Sequence, residues 1–518
     1  MNRRLHFRKR ARVFHGALCS ALILSCLVLV EMSMSCAGQE RLRRVGGNGA
    51  TIVVKAGDSL QAALDGARPG DTIMLEAGAT FRGTFRLPKK AGAEFVTVRS
   101  SAPDSQLPAA GQRLDPARYA TQLPKIVSGS NDSPAIIATE GAHHFRFIAV
   151  EFGPVPGGQG NIVQLGTGEE KTLEELPHDF EFDRVWVHGH PLDGQRRGIS
   201  LNARSVRVIN SYFSDIKRKG DESQALCGWG GDGPFEITNN YIEAAAEGVL
   251  FGGAAPRLRI VPANITVRGN HFNKPASWRS EGWLVKNHFE LKNARNVTVD
   301  NNLMTNNWGS GQDGTAVLFT VRAEEGAAPQ ATIEDVTFTN NIVRGAGGVF
   351  QFLGGEGQGG RRALVRNNLF EDINGQKWNG SGQFMTIADW DGLTIEHNTI
   401  LTTGNITKAF GGPTTALIFR NNVVPQNEYG FHGDGRNVGQ DALDFYFPRS
   451  IMTNNAIIGG DASFYKGRNM FPASLRQLKF VNPDGGDYRL QPDSPLRRAA
   501  SDGTDIGASI DPQKVGRV

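Results

Sequence analysis

One short phrase recurs along the chain about every thirty residues. Each copy has an apolar or β-branched stretch, then a pair of residues in which Asn dominates, then a second apolar pair. The second members of these pairs are separated by 24 to 39 residues. They are Ser211, Asn240, Asn270, Asn302, Asn341, Asn368, Asn398, Asn422 and Asn455. A period of this length indicates a solenoid, because one copy cannot bury its apolar face alone whereas stacked copies can.

The pattern within each copy is typical of short strands rather than helices. We therefore expect a chain that coils through several strands per turn, each paired in parallel with its counterpart one coil away. Asn tolerates a left-handed backbone at a tight corner, and its amide both donates and accepts hydrogen bonds along a stack. The recurring Asn residues are thus predicted to form an internal ladder with a structural role.

Composition favours one repetitive body. A chain of 518 residues is too long for a single compact core, so it must contain several domains or an extended repeat. With 64 glycines, 8% aromatic residues and a mean hydropathy of -0.32, it does not have the composition of a bundle of membrane-spanning helices. A hydrophobic content of 39% also disfavours a largely disordered chain.

The repeat resembles the right-handed parallel β-helix of the pectin lyase-like superfamily over about residues 51–511. It is similar in particular to exported bacterial β-helix proteins of unassigned activity. The resemblance implies an all-β fold, a single solenoid over residues 51–481. The segment from Gly57 to Phe81 is similar to the family's entrance, a capping helix followed by a strand. The segment from Gly486 to Ala508 is similar to its final part, which implies a capping tail over residues 482–518.

The first 37 residues have the three parts of a secretory signal. Six basic residues precede an apolar run from Gly16 to Val30, and small residues follow it. We expect cleavage after Ala37, a linker over residues 38–50, and a secreted protein, periplasmic or extracellular. A retained membrane anchor and a lipid-modified Cys36 remain open as alternatives.

Loss of this segment changes both the charge and the cysteine content. Residues 1–37 carry six basic residues and one acidic residue, so the remainder has a net charge of about -1 rather than +4. A nearly neutral body has no long-range attraction for phosphate, and no nucleic-acid partner is expected. Cys227 is the one cysteine left, which excludes an internal disulfide and predicts a small buried apolar residue.

The superfamily resemblance implies a substrate groove along one outward-facing sheet. Counting from the Asn corners assigns nine segments to that sheet. They are 164–165, 198–201, 224–227, 248–251, 288–292, 315–322, 349–352, 384–388 and 405–409. Most of these segments carry few polar side chains, but strand alternation in one of them turns His288, Glu290 and Lys292 outward. Arg322 follows on the next coil.

These four residues are the predicted catalytic group. β-Elimination on a uronate needs a base, a cation for the carboxylate and a proton donor. We assign Lys292 as the base, Arg322 or Arg279 as the cation, and His288 as the donor. Arg322 is expected near enough to disfavour the charge on Lys292, while Glu290 opposes that effect. Predicted substrate-binding residues on the neighbouring loops are His271, Lys274, Trp278, Arg279, Trp283, Trp308, Gln312 and Asp313.

The expected function is a lyase acting on an acidic, uronate-containing polysaccharide, as a monomer. A glycoside hydrolase using Glu290 and Asp313, and a glycan-binding surface protein without activity, remain as alternatives. The sequence contains neither the aspartate trio of polygalacturonase-like hydrolases nor the RxPxxR motif of pectate lyases, so the resemblance transfers no catalytic residue.

No residue is assigned as a metal ligand. Calcium stays open as a cofactor through Asp221 and Glu222, although their adjacency is not a ligand-loop spacing. His188 and His190 in the sequence HGHP are too few to complete a metal site by themselves.

Overall fold

The protein is described by a computed structural model over residues 43–45 and 49–517. The predicted signal segment 1–37, Cys36 included, and part of the predicted linker lie outside the described residues. Each coil runs through a strand of sheet 3, a turn, a strand of sheet 1, the Asn corner, a strand of sheet 2 and a loop of variable length. The fold is a single right-handed parallel β-helix, as predicted.

The described residues form 15 strands in sheet 1, 13 in sheet 2 and 12 in sheet 3. Sheet 1 comprises Arg43–Val45, Thr51–Val54, Thr72–Leu75, Val96–Ser100, His143–Ile148, His178–Asp183, Arg204–Ile209, Phe235–Thr238, Ala263–Arg268, Ala294–Asp300, Ile333–Thr339, Gly360–Arg366, Trp390–Glu396, Thr415–Arg420 and Ile451–Thr453. Sheet 2 comprises Thr80–Arg82, Lys125–Val127, Glu151–Phe152, Trp186–His188, Tyr212–Ile216, Tyr241–Ala244, His271–Asn273, Leu303–Asn307, Ile342–Ala346, Leu369–Ile373, Thr399–Thr402, Val423–Pro425 and Ala456–Ile458. Sheet 3 comprises Phe85–Leu87, Ile136–Ala138, Asn161–Leu165, Arg197–Leu201, Gln224–Gly228, Glu247–Phe251, Asn287–Leu291, Thr315–Thr320, Gly348–Leu353, Met385–Ala388, Thr407–Ala409 and Phe431–Gly433.

The remaining elements are short. The first strand of sheet 1 pairs antiparallel with the second, and a separate antiparallel pair follows the last coil, formed by Phe480–Asn482 and Asp487–Leu490. The α-helices are Leu60–Gly66, Pro116–Tyr119, Gly375–Trp378 and Gln440–Tyr446. The 3-10 turns are Asp104–Gln106, Ala120–Gln122, Pro156–Gly158, Ala276–Ser280, Glu324–Gly326, Ala462–Phe464, Leu475–Leu478 and Pro483–Gly485.

The Asn corner divides its two tasks between the two members of each pair. The first member takes the left-handed backbone, with φ of +56° at Asn301 and +57° at Asn340. The second member points inward and is fully buried. The Asn302 side-chain oxygen accepts from the backbone N–H of Asn270 at 2.9 Å and from its side-chain amide at 3.0 Å. The same bonds repeat along the corner and reach Asn469, beyond the last phrase found in the sequence.

Both ends of the core are covered by helices. At the start, Ser59 caps the helix Leu60–Gly66, whose Leu60, Ala63 and Leu64 join the apolar core. At the far end, Leu443 and Tyr446 of the helix Gln440–Tyr446 do the same.

The C-terminal tail, expected to be a cap, runs back along the Asn corner instead. Its backbone N–H groups bond to Asn421 from Gly507, to the Asn367 side chain from Ser509, and to Asn301 from Gly516. The left-handed residues direct polar groups outward at this corner, and a polar extended segment finds a row of partners there.

Two smaller expectations concern single residues and membranes. Cys227 is buried, as predicted, and burial raises the pKa of its thiol to about 11. Among the described residues, no helix is long and apolar enough to cross a membrane.

Candidate functional site

All nine segments that the sequence assigned to the groove-facing sheet overlap strands of sheet 3. One outward row of this sheet runs through register partners on successive coils. It contains Gln164, Ser200, Cys227, Leu250, Glu290, Leu318, Gln351 and Thr386. Glu290 lies between Leu250 and Leu318 in that row and is only 2% exposed. The row also reaches Lys408, which is exposed. A buried charge in this row is therefore a departure from what the fold needs.

Glu290 and Lys292 lie together, as predicted. One Glu290 oxygen accepts from the Asn287 side-chain amide at 2.9 Å, and the other lies 3.6 Å from the amine of Lys292. The Lys292 side chain is 19% exposed, so its amine is partly open to solvent. Gly253 makes room for it, since a β-carbon there would lie 3.0 Å from Cδ and 3.3 Å from Nζ of Lys292.

A second charged group lies on the same face and was not predicted. Glu247 occupies the strand position of Asn287 one coil earlier and is fully buried. Its carboxylate lies 2.5 Å from the Lys286 amine, which also lies 2.7 Å from Glu222. Burial raises the pKa of Glu247 to about 7, with Lys286 opposing the shift. Against the effect of burial, Glu247 and Glu290 raise the pKa of Lys286.

This second group continues one coil further. The Gln224 amide donates to Glu247 at 2.9 Å, and its oxygen accepts from Arg197 at 2.8 Å. The Arg197 guanidinium lies 5.5 Å from the Trp229 ring. Arg197, Gln224 and Glu247 share the strand position of Asn287, so the register counted from the Asn corners could have identified them. The sequence interpretation missed them because each lies alone in its own segment.

His288 does not lie in the groove, contrary to the prediction. Its register equivalents Ile162, Ala225 and Val349 all belong to the apolar core, so position 288 faces inward together with Phe289. Strict alternation fails here because the chain turns from a loop into sheet 3. Burial lowers the pKa of His288 well below its ordinary value.

Lys274 and His271 also leave the groove. The Lys274 amine is fully buried and donates to backbone carbonyls of Ala244 at 2.7 Å and Asn287 at 3.0 Å, among others. Burial lowers its pKa to about 7. His271 lies on the outer face of sheet 2, where Nε2 is 3.0 Å from the Thr305 hydroxyl. Lys274 thus ties a loop to a strand rather than contacting substrate.

The three predicted tryptophans form the inside of the loop layer. Trp278, Trp283 and Trp308 are 3 to 5% exposed and pack with Trp378. The amine of Lys217 lies 4.8 Å from the ring centres of both Trp278 and Trp283. Their faces are therefore covered by each other and by cations, and they do not present platforms for sugar rings.

Arg279 belongs to the same layer. Its guanidinium lies 5.6 Å from the Trp308 ring and 5.2 Å from the Trp378 ring, and it donates to the Lys377 carbonyl. The hydrogen bond to Lys377 holds the two loop segments together. It gives Arg279 a structural role that does not involve a substrate.

The remaining predicted residues border the face. The backbone N–H of Arg322 donates to the backbone carbonyl of Lys292 at 3.0 Å. The Arg322 side chain instead pairs with Glu356 and is 46% exposed. Glu290 rather than Arg322 is thus the charge paired with Lys292. The Gln312 oxygen lies 3.5 Å from the Asn287 amide, at the edge of hydrogen-bonding distance. Asp313 accepts a hydrogen bond from the Thr315 hydroxyl.

The acidic and histidine pairs considered as metal ligands have other partners. Asp221 lies 3.2 Å from Arg196, and Glu222 is paired with Lys286. His188 lies 3.2 Å from Glu151 and stacks on Trp186, whereas His190 contacts Asp193 on its own loop.

Comparison with known proteins places the fold. A family model for the "right handed beta helix region" matches residues 197–400. No curated protein matches the chain. Among solved structures, the chain is similar to the PL6-family alginate lyase AlyGC, with 14% identity and a TM-score of 0.50. The match covers 90% of this chain, and the chain spans 58% of that lyase.

A second similar structure is a mannuronic acid-specific polysaccharide family 6 lyase from human gut microbiota. It has 12% identity and a TM-score of 0.50, with 82% of this chain and 92% of that chain covered. Likeness at such identities concerns the fold. The predicted right-handed parallel β-helix fold is thereby confirmed.

Proposed function

We propose that this protein is an exported lyase that cleaves an acidic, uronate-containing polysaccharide by β-elimination on the outer face of sheet 3. The observation that carries the proposal is the pair formed by Lys292 and Glu290. A partly exposed amine stands beside a buried carboxylate in a row of positions that neighbouring coils fill with small or apolar residues. The fold of similar polysaccharide lyases agrees with this reading.

Lys292 has the role of base in this proposal. Its amine removes the proton at C5 of the uronate, the C4–C5 double bond forms, and the C4–O bond breaks. The resulting ammonium returns its proton to the leaving oxygen. Lys292 thus serves as both base and proton donor, and the buried His288 is not needed as the donor. Glu290 orients the Lys292 amine, and the Asn287 side-chain amide fixes the position of the Glu290 carboxylate by a hydrogen bond.

Arg322 has the role of the cation that holds the uronate carboxylate. Its guanidinium is exposed and its backbone is hydrogen-bonded to Lys292, so it stands next to the base. A guanidinium binds a carboxylate through two parallel hydrogen bonds, and the substrate would replace Glu356 in that geometry. Arg279 is less suited, since the tryptophan layer already holds it.

The two alternatives have less support from the contacts. A hydrolase needs two carboxylates facing one glycosidic bond, whereas Glu290 and Asp313 are each bonded within their own coil. A glycan-binding protein needs exposed aromatic faces or amides, and the three tryptophans are covered.

The test is incubation of the purified protein with polygalacturonate, alginate and glycosaminoglycans, each with and without Ca²⁺. A lyase produces unsaturated uronate ends that absorb ultraviolet light. New reducing ends without that absorbance would point to a hydrolase instead. Retardation on a glycan-containing gel without any cleavage would leave a binding protein. Dependence of cleavage on added Ca²⁺ would identify calcium as a cofactor.

Export is tested separately, because the relevant residues precede the described body. A mature amino terminus near Gly38 in protein from the native host supports cleavage of the signal. Intact Met1 in a membrane fraction would support an anchor, and a lipid on Cys36 would support a lipoprotein.

A further inference from the structure

Three histidines from two adjacent coils converge at the start of sheet 1, away from the groove. His143 and His178 are register partners on neighbouring strands, and their rings stack with centres 4.6 Å apart. His144 meets both rings edge-on, and Phe95 packs against its other side. A ligand atom from each of the three histidines lies within 4.8 Å of the other two.

The hydrogen bonds around this group orient the ring nitrogens. Asp179 accepts from Nδ1 of His178 at 2.6 Å, which leaves Nε2 of that ring with its lone pair. Asp179 also lies 3.7 Å from Nε2 of His144, which favours a proton on that nitrogen. Asp179 therefore directs the protons of His178 and His144 away from the centre of the group.

The consequence is a short contact between two ring nitrogens. Nδ1 of His143 and Nδ1 of His144 are 2.7 Å apart. With its proton on Nε2, His144 has a lone pair on Nδ1, directed at His143. Nε2 of His178 carries a lone pair as well. Imidazole nitrogens in this state are the ones that ligate a metal ion.

We propose that His143, His144 and His178 bind a divalent transition-metal ion of the zinc type, with Asp179 orienting two of the ligands. Neutral imidazoles suit zinc, copper and nickel rather than calcium or magnesium. Two nitrogens on one zinc ion stand about 3.4 Å apart, given bonds of about 2.1 Å in a tetrahedron. That value falls between the 2.7 Å contact and the 4.8 Å limit of the group, so side-chain rotations suffice.

The carboxylate contact strengthens the assignment. A carboxylate on the outer nitrogen of a ligating histidine fixes the tautomer and the ring orientation of that ligand. His143 is 7% exposed, and the side chains of His144 and His178 are 16% and 25% exposed, so the group is accessible from one side.

The site is independent of the proposed lyase activity. The sheet 3 strand of its coil, Asn161–Leu165, lies four strands before Asn287–Leu291. At about 4.8 Å per strand the two sites are separated by roughly 19 Å along the coils. A metal here would tie two coils together near the start of the solenoid rather than take part in the chemistry at Lys292.

The test is zinc titration of the tag-free, chelator-treated protein by calorimetry, with Co²⁺ absorption spectra as a second readout. We expect one site per chain with a dissociation constant below about 10 μM, a value for which three fixed imidazoles suffice. His144→Gln and His178→Gln should each weaken binding at least about 100-fold, and Asp179→Asn about 10- to 100-fold. These side chains are more exposed than His143, so the variants should fold.

The matched control is His190→Gln, which removes an exposed loop histidine and should leave zinc binding unchanged. Melting temperatures without metal establish that each variant is folded. Absence of saturable zinc binding by the wild-type protein would overturn the proposal. Wild-type affinity in both His144→Gln and His178→Gln would overturn it equally, because the ion would then bind elsewhere.

Discussion

The Asn corner and the outer face of sheet 3 both bury rows of polar side chains, yet the rows are built differently. At the corner the same neutral residue repeats, and each amide is bonded to the next coil in the same way. On sheet 3 the equivalent positions change from Gln224 to Glu247 to Asn287 to Thr315. The fold uses the first row to close the corner of each coil from Ser211 to Asn455. Nothing in the coil geometry requires the second.

The charges sharpen this contrast. An Asn ladder buries no net charge and satisfies its donors and acceptors internally. The sheet 3 face buries the carboxylates of Glu247 and Glu290 and the amine of Lys286, while their partners Glu222 and Lys292 are partly exposed. Burying an ion pair costs desolvation that its attraction often fails to offset. A chain that places such pairs on one face of a regular scaffold accepts lower stability there, which indicates that these charges serve a purpose other than folding.

The largest expected effect is on turnover by Lys292→Ala. Loss of a general base typically lowers the rate by about 10²- to 10⁴-fold. The free energy of unfolding should change by less than about 1 kcal/mol, because the amine is partly exposed and Glu290 keeps its bond to Asn287. Measurement of kcat on the substrate found in the glycan panel, with a thermal melt, checks both statements.

The matched control for that variant is Lys408→Ala. Lys408 is an exposed lysine in the outward row of sheet 3 that contains Glu290. It lies three coils after the strand Thr315–Thr320. It should leave kcat unchanged. Full activity of Lys292→Ala would remove Lys292 from the mechanism and favour the glycan-binding alternative.

The opposite pattern is expected for the ladder. Asn302→Ala removes an oxygen that accepts two hydrogen bonds from Asn270 and an amide that donates to Asn341. Buried groups left unpaired cost about 1 to 3 kcal/mol each, so the variant should lose about 2 to 4 kcal/mol of stability. The kcat of the folded fraction should stay unchanged. Urea unfolding beside the exposed Asn437→Ala checks the loss, and equal stability of the two variants would contradict a structural ladder.

The contrast also explains what the sequence could predict. The Asn phrases from Ser211 to Asn455 predicted the register of the coils that contain them, and with it the fold class and nine of the twelve strands of sheet 3. Glu290 and Lys292 were correctly paired because alternation holds in the middle of the strand Asn287–Leu291. His288 was misplaced because alternation fails at the entry to that strand, where two consecutive residues face the core.

Loops were the other source of error. The sequence shows that tryptophans and cations are close along the chain, but not whether the rings face substrate or one another. Trp283 is covered by Lys217 and Lys219, which lie on an earlier coil. The histidine group at His143 and His178 was missed for a similar reason, since only the register between coils brings them together.

A smaller effect is expected from pH at His271, a predicted site residue that the structure places on sheet 2. Burial lowers the pKa of His271 to about 4, so the folded protein favours the neutral ring. Its contribution to stability is complete above the unfolded pKa of about 6.5 and is lost as the pH falls toward 4. At about 1.4 kcal/mol per unit, the loss is up to about 3 kcal/mol.

The variant His271→Gln removes this titration. We expect its stability to fall less than that of the wild type between pH 7 and pH 4.5, as measured by urea unfolding at both values. His271 also contributes to the lowered pKa of the buried His288, so the difference between the two proteins reports the effect of both rings. Glycan cleavage should be unaffected, and a loss of turnover would return His271 to the site.

The smallest effect on stability is expected at Arg322. Its ion pair with Glu356 is exposed on both sides, and such pairs contribute about 0 to 1 kcal/mol. Arg322→Ala should therefore leave the melting temperature nearly unchanged while raising KM about tenfold or more, because the uronate loses a bidentate partner.

The variant Glu356→Gln is the companion measurement. It frees the guanidinium without removing it, so KM should stay the same or fall. If both variants raise KM equally, the ion pair itself shapes the groove and Arg322 does not hold the substrate carboxylate. If neither changes KM, recognition of the uronate lies elsewhere on the face, and Arg197 beside Trp229 becomes the next residue to replace.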